Sequence, residues 1–380
     1  MKKDQNKYIC TMPYEWFEIT PNGDVYTCCP TWLPKPIGNI LEKEGDDLWN
    51  GKAAQKIRRS VIDGSFKYCD KKICPNIIRK KGPVKKLSEI NDSQIKKHIK
   101  NSKYKLNYGP KIINCAFDRS CNLSCPSCRA KQIIAMGKDR KKVLLTIDKI
   151  NKYYAKNITK LIITGSGDPF GSPYFFDWLR NMKPKDFPNL KSIHLHTNGQ
   201  LFTKKSWDMI KPIRSKIKSV EISIDAATEN TYKKNRRGGS FKRLLKNLSY
   251  ISSLKKKGQI KYARISFVVQ NNNYKEMFDF TKLGSELKFD DIYFSKLLNW
   301  GTFSTKEYKS RAVHSPTHPN HVKLLSELNK IKNLPKVNIG NLLPIVNKSS
   351  DNNSLALAIE KNKKYFINNF LSIKKKIINE

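Results

Sequence analysis

The sequence predicts an α/β protein: a partial (β/α)6 TIM-like barrel with a small cysteine-rich module ahead of it. Three observations carry this. Apolar, β-branched runs recur at 112–117, 161–164, 192–196, 220–224, 264–269 and 291–294. Longer stretches with helical spacing lie between them, among them 206–217, 241–254 and 274–287. Strands alternating with helices imply a parallel sheet, and six such units imply an incomplete barrel. Thirdly, Cys121, Cys125 and Cys128 directly follow the first of these strands. That is the sheet edge where such folds place their chemistry.

In chain order, residues 1–78 come first. They hold Cys10, Cys28, Cys29, Cys69 and Cys74, five of the nine cysteines, with turn signals at 21–24 and 34–36. This reads as a small, loop-rich unit pinned by metal. Residues 79–109 are basic and polar with few large apolar side chains, and read as a linker with some helix. The barrel is expected over 110–300. Residues 301–380 read as a C-terminal extension: a helix near 321–332, an apolar stretch at 337–345, and a polar, then basic and helical tail from 349. No repeat of solenoid period is found.

Lys and Arg total 74 against 32 Asp and Glu, a net charge of +42. Such an excess attracts nucleic acid, phosphates or acidic peptides. Here the lysines are spread along the chain, and no arginine-rich helix or aromatic–basic motif stands out. A solvated surface is the simpler reading, and nucleic acid is not an expected partner. No run of about 18 apolar residues marks a membrane span. The N-terminus leads into no apolar signal core, so a cytoplasmic location is expected. In that setting nine cysteines read as metal ligands or reactive thiols, not disulfides.

The three barrel cysteines have the spacing C-x3-C-x2-C. Three thiolates on one loop can hold three irons of a 4Fe–4S cube and leave the fourth open. A fully thiolate-bound cube mainly moves electrons, whereas an open iron can bind a substrate. Zinc is the competing reading of a Cys-x2-Cys pair.

Strand, cysteine loop, helix and five further units together resemble the radical S-adenosylmethionine (radical SAM) superfamily over roughly residues 111–297. Thr164-Gly-Ser-Gly-Asp-Pro-Phe170 is similar to that family's glycine-rich segment, which usually reads Gly-Gly-Glu, with Asp168 in place of Glu. The resemblance puts Gly165, Ser166, Gly167 and Asp168 at the methionine end of SAM. Thr197-Asn198-Gly199 and Ser223-Ile-Asp225 resemble the next two strand ends, with Asn198 and Ser223 against the cofactor. Asp225 is either a further contact or a cap for the following segment. The stretch 232–241 resembles one whose arginine binds the SAM carboxylate, since a guanidinium grips a carboxylate with two parallel hydrogen bonds. Arg236 is favoured over Arg237 by its distance from Tyr232. Arg264, Ser266 and residues 268–270 match positions that line an adenosine pocket or serve the framework.

A second resemblance lies in the first 78 residues. Gly23-x4-Cys28, with Cys10, Cys69 and Cys74, is similar to SPASM or twitch modules that bind an auxiliary iron–sulfur cluster. Those modules normally follow the barrel, and their full cysteine set is absent here. Cys10, Cys28, Cys69 and Cys74 are the implied ligands, with Cys29 an alternative to Cys28 and structural zinc an alternative to the cluster. Cys115 reads either as a small apolar core residue or as a hydrogen-atom donor.

The implied cofactors are a SAM-binding 4Fe–4S cluster held by Cys121, Cys125 and Cys128, S-adenosyl-L-methionine, and a second, auxiliary 4Fe–4S cluster. The implied activity is that of an oxidoreductase. It would cleave SAM reductively to a 5′-deoxyadenosyl radical and abstract hydrogen from a peptide or a small metabolite such as a sugar or nucleotide. A one-electron donor such as flavodoxin or ferredoxin would supply it. An epimerase, an RNA-modifying enzyme and a non-catalytic zinc or iron–sulfur protein are the alternatives.

Overall fold

The computed structural model describes residues 7–163 and 165–346. The expected tail from residue 349 and Thr164 lie outside the described residues. The chain divides into two compact units. The first holds the described residues up to Cys125, Arg129–Ser223 and Arg236–Arg264; the second holds Pro126–Cys128, Ile224–Asn235 and the described residues from Ile265.

The elements run β1 (Tyr8–Cys10), α1 (Met12–Glu15), β2 (Trp16–Ile19), β3 (Asp24–Tyr26), β4 (Gly38–Asn39), α2 (Gly45–Trp49), α3 (Lys52–Ile62), α4 (Pro75–Arg79), β5 (Val84–Lys86) and α5 (Ser93–Lys100). Then the alternation begins: β6 (Ile112–Cys115), α6 (Gly137–Tyr153), β7 (Lys160–Ile163), α7 (Pro173–Asn181), β8 (Ser192–Thr197), α8 (Lys204–Met209) and β9 (Ile217–Ser223). It continues with α9 (Glu229–Asn235), α10 (Phe241–Lys256), β10 (Tyr262–Val269), α11 (Met277–Glu286), β11 (Asp291–Lys296), α12 (Thr305–Arg311), α13 (His321–Ile331) and β12 (Val337–Asn338). All six expected strands form, as β6 to β11. The architecture is mixed α/β with a mostly parallel sheet, as expected of this fold class.

In the first unit the strands lie in the order β9-β8-β7-β6-β2-β3-β4. Pairing is parallel from β9 through β6 to β2 and antiparallel across β2, β3 and β4. Burial alternates along these strands. Ile113, Cys115, Leu161, Ile163, Leu195 and Ile222 are wholly buried, while the residues between them are half-buried. Period-two burial is what a sheet with one sealed face requires. Cys115 belongs to the sealed face, and burial alone pushes its thiol well above the ordinary range. That makes it a core residue, and the hydrogen-donor alternative has no support in its placement. In the second unit β10, β11 and β12 are neighbours, with β11 and β12 parallel.

Two boundaries differ from the sequence expectation. The cysteine-rich module is continuous with the barrel sheet, because β2 pairs in parallel with β6, from Trp16 opposite Ile112 to Ile19 opposite Cys115. Phe17 anchors this junction, fully buried against the rings of Trp49 and Tyr154. The stretch 79–109 is no free linker. β5 pairs antiparallel with β1, and α5, capped by Asp92 on Ile95 N–H at 3.0 Å, buries Ile95 and Ile99. The apolar residues were too sparse to show a period. Arg58 of α3 completes the fastening. It is fully buried, donates to the carbonyls of Pro13, Trp49 and Tyr104, and stacks 4.5 Å over Trp49. Burial lowers its pKa to about 10, so those hydrogen bonds, each stronger for the charge, hold a cation inside the fold.

Candidate functional site

Beyond β6 the chain enters the cysteine loop. Asp118 is fully buried; its Oδ1 accepts the Ser120 N–H at 2.9 Å and its Oδ2 accepts the Ser172 hydroxyl. Ser172 in turn caps α7 through Phe175 N–H at 3.0 Å. The Cys121 N–H donates to the Ile133 carbonyl at 2.8 Å and the Ser120 hydroxyl accepts the Ala135 N–H at 2.9 Å. The two arms of the loop are thereby closed on each other. Arg129, next to the third cysteine, donates to the carbonyls of Arg119 and Ser166.

Inside this frame, N–H groups converge on sulfur. Cys121 Sγ accepts the Leu123 N–H at 3.4 Å and Asn198 Nδ2–H at 3.6 Å. Cys125 Sγ accepts Arg236 Nη1–H at 3.8 Å. Burial pushes the Cys121 thiol up to about 12, the Asp168 charge adds to this, and the Leu123 N–H and Arg129 oppose it. A buried sulfur with such a raised pKa but three N–H groups around the pair suits a thiolate whose charge is shared with a metal centre. The site thus fits the cluster it is expected to hold. Cys128 is half-buried and belongs to the second unit.

The neighbouring strand ends close onto this loop. Gly165 has φ of +91°, and a Cβ on Gly167 would stand 2.5 Å from the Ser120 carbonyl and 2.6 Å from that of Asp118. Only glycine permits this approach. Asp168 is 1% exposed, and both its oxygens are spent within the protein. Oδ1 accepts the N–H groups of Phe170 at 2.9 Å and Gly171 at 2.8 Å; Oδ2 accepts the Thr197 hydroxyl at 2.8 Å and the Asn198 N–H at 2.7 Å. One methylene shorter than Glu, it turns back on its own loop as an Asx turn. It ties the glycine loop to Asn198, whose side chain also reaches Asn122 Oδ1 at 2.9 Å. Ser166 Oγ donates to the Ala116 carbonyl at 2.8 Å.

Arg237 clasps the cysteine loop from outside, with Nε 3.0 Å from Ser124 Oγ, Nη2 on the Ala130 carbonyl and its own carbonyl accepting the Ser124 N–H at 3.0 Å. That leaves Arg236, the favoured arginine, beside Cys125. Ser223 Oγ lies 2.7 Å from His196 Nε2. Asp225, in the second unit, is buried with φ of +59°. Its Oδ1 accepts the Val268 N–H at 2.7 Å and its carbonyl accepts Asn235 and Asn273 side chains at 2.9 and 3.0 Å. Its carboxylate thereby braces β10.

In the module, Cys10 lies within electrostatic range of Cys28, Cys69 and Cys74, and Cys29 within range of Cys28 and Cys74. Burial raises the Cys10 thiol well above its ordinary value, and the charges of Cys28, Cys69 and Cys74 raise it further. Burial lifts Cys28 to about 12 and Cys69 to about 11, the latter also through Cys74. Desolvated thiols that raise one another in this way fit a metal cluster, whose cations would offset their charge. Among the described residues no three His, Cys, Asp or Glu are gathered tightly enough to ligate a single ion. Cys28 also accepts Trp32 Nε1–H at 3.2 Å, a contact Cys29 lacks.

Sequence reasoning missed Arg129, Trp32, the clasp that Arg237 makes on the cysteine loop, and most of the polar face of the sheet. On that face Glu18 stands opposite Asn114, and His196 pairs with Glu221 at 3.8 Å, which also meets Arg264 at 3.5 Å. Burial, then His196, lowers the His194 pKa to about 4. The strands' period of two, applied to polar residues, was the available signal.

Residues 117–282 match the family model of the Radical SAM superfamily, and residues 10–76 that of the SPASM iron–sulfur cluster-binding domain. This marks an enzyme that carries a radical SAM domain over a little under half of its length. It is, more particularly, one whose SPASM domain precedes the radical SAM domain, with a 4Fe–4S cluster, SAM and an auxiliary cluster as its cofactors. The chain is 31% identical over 132 residues to a GTP 3′,8-cyclase of Alkaliphilus metalliredigens (strain QYMF), covering 34% of this chain and 39% of that protein. Among solved structures it is similar to Streptococcus suis SuiB (TM-score 0.41, 17% identity, 65% of this chain and 53% of that one). It is also similar to anSMEcpe with bound AdoMet (TM-score 0.38, 18% identity, 60% and 61%). The chain thus spans about two fifths of the cyclase and about half of SuiB. Among the described residues no helix is long and apolar enough to cross a membrane.

Proposed function

We propose that this radical SAM enzyme oxidises an unactivated C–H position of a peptide or small metabolite. Cys121, Cys125 and Cys128 would hold three irons of the SAM-binding cluster, and Cys10, Cys28, Cys69 and Cys74 the auxiliary cluster. The single observation that carries the reading is the convergence of Leu123, Asn198 and Arg236 N–H groups on the sulfurs of Cys121 and Cys125. Hydrogen bonds to cluster sulfurs are a principal means by which a protein sets a cluster's potential.

When bound, the reduced cluster and SAM supply one-electron cleavage of SAM and hydrogen-atom abstraction, and the auxiliary cluster an electron acceptor. The protein's own part is placement and shielding. Arg236, whose guanidinium lies beside Cys125, would take the SAM carboxylate. The Gly165–Gly167 backbone, with Asn198 and Ser223, forms the remaining cofactor wall, with Asp168 and Asp225 holding the loops. Asn198, Asp168 and Asp225 are buried, which limits water at this wall. The polar sheet face of Glu18, His196, Glu221 and Arg264 suits a substrate with polar groups. An external flavodoxin or ferredoxin would donate the electron.

The test is anaerobic reconstitution followed by iron and sulfide analysis. Two cubes per chain are expected, about one after Cys10→Ala with Cys74→Ala. Cys125→Ala should remain folded and release no 5′-deoxyadenosine. Continued SAM cleavage by that variant, or a zinc ion in the Cys121–Cys128 loop, would remove the reading.

A further inference from the structure

The second unit contains a cavity of about 840 Å³ that none of the cofactor residues line. It opens where the sheet ends: Lys296 is the last residue of β11, and Asn271 lies two residues beyond β10. Strand C-terminal ends are where this architecture gathers its binding groups. The opposite wall is the segment 308–320, held by successive backbone turns: Ala312 N–H on the Tyr308 carbonyl, Ser315 on Ala312 and His318 on Ser315, at 2.8 to 3.0 Å. Asn320 Nδ2 ties this wall to Asn271 Oδ1 at 2.9 Å, and the Asn271 N–H donates to the Arg311 carbonyl at 2.9 Å. The pocket is therefore built on framework elements and has a defined shape.

Its chemistry is one-sided. Lys296, Lys309 and His314 line it together with Ser310, Thr317 and Asn320, and none of its described lining residues is acidic. His314 Nδ1 is buried and has no hydrogen-bond partner among the described residues. His318 is already satisfied, with one ring nitrogen on the Ser310 carbonyl at 3.1 Å and the other accepting the Asn320 N–H at 3.1 Å. A buried polar atom without a partner marks a place where a ligand group completes the set. We propose that this pocket binds an oxyanion, a phosphate or a carboxylate, with Lys296 supplying the charge and His314 Nδ1 a hydrogen bond. Burial and then the Lys296 charge lower the His314 pKa to about 4, so that charge is felt at the imidazole. A cation is disfavoured by the same lysine. Calling this oxyanion part of the substrate rests on the function proposed above; the site itself does not.

The experiment uses the full reconstituted chain, labelled in its histidine rings, at ionic strength held constant with chloride. Inorganic phosphate is titrated in one arm and acetate in the other, while NMR follows the His314 resonance, assigned with His314→Gln. A saturable shift is expected in at least one arm; the arm that responds names the oxyanion. Lys296→Met should weaken that response about tenfold, the loss of one charge-assisted contact. A His314 resonance that neither probe moves beyond chloride, or a Lys296→Met response equal to wild type, overturns the site. 5′-Deoxyadenosine release by the wild-type enzyme is scored separately. Its failure would overturn the radical SAM reading and leave the oxyanion site standing.

Discussion

Asp168→Asn separates a positioning carboxylate from a SAM ligand. In the wild type one carboxylate satisfies four donors from two loops, at 2.7 to 2.9 Å. An amide retains one oxygen, which can serve the Phe170 and Gly171 pair or the Thr197 and Asn198 pair. Its NH2 then faces the other pair, donor against donor. Two charge-assisted bonds are lost at about 1.5–3 kcal/mol each, about 3–6 kcal/mol in all. The Thr197 hydroxyl can rotate and accept, and no carboxylate need be desolvated, so the lower end, about 3 kcal/mol, is expected. In a chain of this size that corresponds to a fall in melting temperature of roughly 4 °C. Thermal unfolding of the reconstituted enzyme, with and without SAM, is the assay. Both stability and SAM affinity should drop, because the loop carrying Gly165–Gly167 loses its tie to Asn198. A variant that melts with the wild type yet fails to bind SAM would show that Asp168 touches the cofactor directly, and the positioning account would be wrong.

Trp32→Phe removes the N–H donated to Cys28 Sγ at 3.2 Å while keeping a ring in place. A lost donor disfavours the reduced, more negative cluster, so the auxiliary potential should fall by about 40 mV, the equivalent of roughly 1 kcal/mol; an unchanged potential in redox titration would remove Cys28 from the ligand set. Cys115→Ala should cost about 1 kcal/mol of stability, as for a small buried truncation. It should leave the yield of 5′-deoxyadenosine per product unchanged, and an altered ratio would restore the hydrogen-donor role. The pH dependence of stability should carry the mark of His194, whose folded pKa of about 4 lies below its ordinary 6.5. The unfolded chain takes up that proton first, so this contribution is complete above about pH 6.5 and is lost as pH falls toward 4. Denaturation midpoints should decline across that window and decline less in His194→Gln.

The sequence by itself determined the six strands, the cysteine loop after the first of them, and the pairing of a cluster module with a radical SAM domain. It could do so because these features are local. β-Branched runs, glycine turns and closely spaced thiols declare themselves within a few residues. Only the tertiary structure decided that β2 extends the barrel sheet, that residues 84–100 pack into the first unit, and that Asp168 spends its oxygens on Thr197 and Asn198. It also set Trp32 against Cys28 and sent Cys115 to the sealed face of the sheet. Each of these depends on partners far apart in the chain or on which side of a strand is covered. Neither is written in composition or spacing, because strand pairing and burial are settled only when distant segments meet.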